Sequence, residues 1–225
     1  MSTTTFRLLA GIALLVSQAS LAWGASVYVD ITRPGDPVKL VNGFNQGDGD
    51  FGPPPASEVE THAFDDVGQK YLNFLDLSSG VAVTPSANPE DLPVVGLRLY
   101  TANDAVPRDP ASYQLSGSND GMDGPWTWIS SGNLALPDGR NAGGDAVAIP
   151  PEGNPDAFHQ TVMFANSDSY AYYQVIFPTL KDAAAANSMQ IAEIELLVEG
   201  VPEPATGLMM GLGVLGLAAL RRRRK

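Results

Sequence analysis

The chain offers few groups for catalysis and many for binding. It has two histidines, His62 and His159, and no cysteine. It lacks a His-Glu-x-x-His pair, which would set two imidazoles on one helix face for zinc, and a Gly-x-Ser-x-Gly elbow, which would expose a serine nucleophile. Glycoside hydrolysis needs only two carboxylates at a defined separation, which linear spacing does not reveal; a small glycoside-active enzyme is therefore the lesser reading. Sugar recognition asks for aromatic faces that stack on a pyranose and polar groups that fix its hydroxyls. Trp126, Trp128, Tyr100, Tyr170, Tyr172, His62, His159, Arg98 and Arg140 are of the right types, and Trp126, Trp128, Tyr172 and Arg98 are the leading candidates. The same aromatics are favoured in strands and sandwich cores, so residue type alone does not separate a ligand contact from packing. Asp48-Gly49-Asp50 alternates carboxylates, but the downstream Gly and Glu of an EF-hand are missing.

Charge narrows the partners. The net charge is −12, from 13 bases and 25 acids. Six of the bases, Arg7, Arg221, Arg222, Arg223, Arg224 and Lys225, and one acid, Glu203, lie in the two end segments. The middle keeps 7 bases against 24 acids, about −17, which repels phosphate backbones and excludes nucleic acid as a partner. Divalent cations and neutral ligands fit better.

The ends read as addresses. Arg7 precedes an apolar run, Leu8 to Val16, followed by small and polar residues with Ala22 and Gly24 as cleavage positions. This is the layout of a secretory signal peptide over residues 1–24, implying the Sec translocon and signal peptidase as processing partners. At the other end an apolar stretch from Ala205 to Leu220 closes on Arg221-Arg222-Arg223-Arg224-Lys225. As a transmembrane helix over 205–220 it reaches about 24 Å, short of the roughly 30 Å hydrocarbon core unless arginine stems extend it. The bases stay cytoplasmic by the positive-inside tendency, which places the acidic domain outside. Pro202-Glu203-Pro204, the helix and the arginine cluster together resemble the PEP-CTERM sorting signal. That resemblance implies an exosortase as partner, transient anchoring in the inner membrane of a Gram-negative bacterium, and release to the cell surface or extracellular matrix.

Between the labels, over residues 25–200, the pattern is strands and turns, with 23 Gly and 18 Pro in the chain. The period of two is clear. Val95, Leu97 and Leu99 are expected to face a core, with Arg98 and Tyr100 facing away. Tyr113 and Leu115 share one face, as do Tyr173, Val175 and Phe177, with Tyr172, Gln174 and Ile176 opposite. Ala192, Ile194, Leu196 and Val198 share a face, with Glu193 and Glu195 opposite. Further strands are expected at Ser26 to Ile31, Tyr71 to Leu75, Gly80 to Thr84, Trp126 to Ser130 and His159 to Phe164. Pro34 to Pro55 and Leu136 to Pro155 read as long loops, and Leu180 to Asn187 as a helical turn or loop. Eight or nine short strands joined by turns predict an all-β, antiparallel β-sandwich in one domain.

Ala63-Phe64-Asp65-Asp66, Lys70-Tyr71-Leu72-Asn73-Phe74, the stretch Asp109 to Gly121 leading to Trp126-Thr127-Trp128, then Tyr172-Tyr173-Gln174-Val175 and Gln190 to Leu196 stand in an order that is similar to galactose-binding-like jelly rolls of the discoidin or coagulation-factor type C group. The resemblance runs over residues 58–199; the cysteines of the disulfide-linked subfamilies are missing. It implies a jelly roll, a non-catalytic glycan-binding role, and a structural calcium ion between the early Asp loop and the last strand, which maps to Asp65, Asp66 and Glu193. Calcium takes about 6–8 oxygens; the plain alternative is two turn aspartates capping amides and a solvated strand glutamate. The expected function is an exported surface or matrix protein that binds exopolysaccharide, and the rival is a structural surface protein with no defined sugar ligand.

Overall fold

The computed structural model describes residues 26–41, 55–74, 78–88, 91–140, 149 and 158–200. The expected signal peptide, Asp48-Gly49-Asp50, the sorting tail and its helix at 205–220 lie outside them. Among the described residues no helix is long and apolar enough to cross a membrane.

The elements are strands β1 (Val27–Asp30), β2 (Val38–Val41), β3 (Tyr71–Asn73), β4 (Ser79–Val83), β5 (Val94–Tyr100), β6 (Ser112–Ser118), β7 (Thr127–Asn133), β8 (His159–Met163), β9 (Tyr172–Phe177), β10 (Met189–Ile191) and β11 (Glu193–Gly200). Short 3-10 helices cover Glu60–Phe64 and Val106–Arg108. One sheet has the order β1-β11-β5-β8, a second β2-β4-β9-β6-β7, and β10 pairs with β3. Leu97, Leu99, Ile194 and Leu196 from the first sheet and Val81, Val83, Leu115, Val175 and Phe177 from the second bury together, with Tyr71, Met189 and Ile191 from the β3–β10 pair. This is the antiparallel β-sandwich that the two-residue period calls for.

Three readings need correction. The expected loop from Pro34 to Pro55 contains β2, whose Val38 and Leu40 face Val83 and Val81 of β4; four residues are too few for their alternation to stand out. Val94 rather than Val95 enters the core, because the register shifts between Leu197 and Val198. Arg98, Tyr100, Glu193 and Glu195 do face away from the core, yet all four are buried.

Candidate functional site

The 3-10 helix at Glu60–Phe64 is anchored by buried Ala63 and Phe64 and hands the chain to Asp65. Asp66 then adopts a left-handed backbone, φ 59°, which short polar side chains tolerate. The turn aims the amides of Asp65 and Asp66 at Oε2 of Glu193, donating at 3.1 and 3.0 Å. Oε1 of Glu193 is buried without any hydrogen-bond partner. Asp65 meets Nδ1 of His62 at 2.6 Å through Oδ2 and accepts from the Val67 amide at 3.2 Å through Oδ1. Burial, then the charges of Asp65, Asp66 and Asp30, holds the Glu193 carboxyl well above its usual range. Burial also raises Asp65 and Asp66. The structure thus brings Glu193 to the backbone amides of Asp65 and Asp66, while the Asp65 carboxylate turns to His62 and caps the Val67 amide; the solvated-glutamate alternative fails for Glu193, which is fully buried. A cation would relieve the repulsion and satisfy the orphan oxygen. Among the described residues no three acidic or histidine side chains form a ready-made cage, so calcium here would draw further ligands from backbone carbonyls and water.

On the same outward face, Arg98 donates from Nη1 to Oε2 of Glu195 at 2.7 Å and from Nε to the Thr161 hydroxyl at 3.1 Å. The Tyr100 hydroxyl donates to Oε1 of Glu195 at 3.0 Å. The Tyr100 ring packs on His159 and Phe158, with centroids 5.2 and 6.3 Å apart, and burial lowers the His159 pKa. Asp30, which sequence reasoning missed, accepts from the amides of Thr32 and Leu196, both at 3.0 Å. Its burial, reinforced by Glu195, raises its pKa to about 7.

Arg140 is likewise committed. It grips the fully buried Asp109 with two parallel bonds of 2.9 and 2.7 Å, and Lys181 approaches the same carboxylate at 3.2 Å. Gln190 donates from Nε2 to the carbonyls of Asp104 and Ala105 at 2.7 and 3.1 Å. These contacts join the β5–β6, β7–β8 and β9–β10 connections into one locked end.

Of the remaining candidates, Trp128 and Tyr172 lie on the outer face of the five-stranded sheet. Trp128 stands opposite Ser116 of β6, Ser116 opposite Gln174 of β9, and Ser118 opposite Tyr172. Trp126 lies just before β7 and follows a turn at Gly124, φ 81°, where an added Cβ would sit 2.8 Å from the Trp126 ring. Trp128 is 61% exposed. Arg98 is absent from this face because it belongs to the other sheet, and Tyr170 packs over Gly117, where a Cβ would meet its ring at 2.3 Å.

Residues 200–224 carry a PEP-CTERM protein-sorting motif, which indicates export and cell-surface sorting by an exosortase. No curated protein matches the chain. Among solved structures, the family 32 carbohydrate-binding module of Clostridium perfringens NanJ, in complex with galactose, is similar at TM-score 0.50 and 10% identity, over 76% of this chain and 99% of that one. A second C. perfringens module, CpGH89CBM32-5 with GalNAc-β-1,3-galactose, gives 0.50 and 11%, over 76% and 99%. An F5/8 type C domain from Bacteroides fragilis gives 0.50 and 11%, over 79% and 99%. At these identities the likeness shows the fold alone: an all-β sandwich of the jelly-roll type.

Proposed function

We propose that this is a non-catalytic protein of the cell surface or extracellular matrix of a Gram-negative bacterium, anchored transiently by its tail, which binds exopolysaccharide through the Trp126, Trp128 and Tyr172 face. The observation that carries this reading is Trp128, a large ring left 61% exposed on a sheet face whose neighbours are small and polar. A tryptophan there leaves most of its ring in water, whereas a stacked sugar ring would cover it. The galactose in the NanJ module and the disaccharide in its relative support the same class of ligand. A calcium ion at Asp65, Asp66 and Glu193 would act as a brace between the early loop and β11, supported by the unpaired Oε1 of Glu193.

The test is binding of the exported protein to the producing cells' own exopolysaccharide, with and without competing free sugars. Saturable, competable binding that falls about tenfold or more in Trp128→Ala, a loss of about 1.4 kcal/mol, is expected. An exposed side chain contributes little to folding, so the variant's stability should stay within about 0.5 kcal/mol of wild type. Absence of binding would return the protein to a purely structural role.

A further inference from the structure

We infer that Gln174 and Ser116 form the polar half of a saccharide subsite beside Trp128, and that this subsite takes an uncharged glycan chain without needing calcium. The inference rests on the glycan-binding reading and names the groups and ligand class that reading leaves open.

The row across the sheet runs Trp128, Ser116, Gln174, Ala82, Lys39 through β7, β6, β9, β4 and β2. Strands about 4.8 Å apart put Trp128 and Gln174 about 10 Å apart, with Ser116 between them. Gln174 is 8% exposed and Ser116 4%, yet neither side chain hydrogen-bonds to another described residue. A glutamine amide carries two donors and a carbonyl with two acceptor positions. Among the described residues only Gln190 Oε1 and Glu193 Oε1 are buried without a partner, so water still reaches the Gln174 amide and the Ser116 hydroxyl, and a ligand that reproduces those hydrogen bonds can take its place. Sugar hydroxyls, which both donate and accept, match an amide and a serine hydroxyl. The exposed indole supplies the stacking face that a ring lying over Ser116 would need.

Charge selects the class of sugar. The cation on this row, Lys39, is paired with Asp123 of the β6–β7 turn, and the same turn carries Asp120. A uronate or sulfated chain would meet the turn carboxylates and, among the described residues of this row, a single cation that is already paired, inside a protein of net charge −12. Asp65, Asp66 and Glu193 belong to the other sheet and its loop, so the subsite needs no metal for its chemistry.

The test uses the full-length chain in a detergent without a sugar headgroup, in chelator. Tryptophan fluorescence and calorimetric titration would follow neutral glucan and galactan oligosaccharides, a polyuronate of equal length and the producing cells' own polysaccharide. Saturable binding of a neutral chain is expected, weakened about tenfold in Gln174→Ala and in Ser116→Ala, as expected for one lost hydrogen-bond partner each. Gln174→Met, which keeps the side chain's length, should weaken binding equally if Gln174→Ala misfolds. Preference for the polyuronate, or neutral-chain binding unchanged in these variants, overturns the inference while glycan binding stands. Binding present with calcium but absent in chelator also overturns it and moves the ligand to another site. No binding under any condition overturns the inference and the glycan-binding reading together.

Discussion

Replacing Glu193 with Gln separates a calcium brace from an ordinary buried acid. In wild type, Oε2 takes the amides of Asp65 and Asp66 while Oε1 has no partner. Gln keeps an oxygen for those two amides and puts a neutral NH2 where the orphan oxygen stood, removing the charge that Asp65, Asp66 and Asp30 oppose. In chelator at pH 7.5 the variant should therefore melt no lower than wild type. A ligand that binds only the folded state stabilises it by about 2.7 kcal/mol at one hundred times its dissociation constant. A domain of this size moves about 2–4 °C per kcal/mol, so calcium should raise the wild-type melting temperature by about 5–11 °C. Glu193→Gln should show little or none of that rise. Glu193→Ala should melt lower in both conditions, because it strands two backbone donors at about 1–3 kcal/mol each. The assay is differential scanning calorimetry across a calcium titration. A wild-type curve that is the same in calcium and chelator, or a full calcium response in Glu193→Gln, would refute the argument.

Three further outcomes are expected. The Asp30 carboxyl is held at about 7 against 3.8 when free, so between those values the folded state keeps a proton that the unfolded state has lost. Stability then falls as pH rises through that window, by on the order of 4 kcal/mol from this residue, and Asp30→Asn should flatten the slope of unfolding free energy measured in urea from pH 4 to 8; an unchanged slope would contradict it. Arg98→Met leaves Glu195 buried without its guanidinium and should cost about 3–5 kcal/mol in urea unfolding, while glycan affinity per folded molecule stays at the wild-type value; a selective loss of binding would make Arg98 a ligand contact after all. Replacing Pro202-Glu203-Pro204 should leave the full-length protein in the membrane fraction, and normal processing of that variant would remove the sorting assignment.

Much of this protein is legible without coordinates because a strand's two faces are written locally, in the parity of its residues. Leu97 with Leu99, and Tyr173 with Val175 and Phe177, announce the core side of their strands, and the motif at residues 200–224 announces export. Parity does not say which strands become neighbours or what covers the far face. Tertiary structure decided that Glu193 lies beneath the amides of residues 127 and 128 positions earlier, a proximity that family resemblance implied and spacing alone did not. It also turned Arg98 and Arg140 from free cations into the partners of Glu195 and Asp109. It set Gln174 and Ser116 in one row with Trp128. Pairing and burial depend on contacts between distant segments, and those are settled only when the two sheets close on one another.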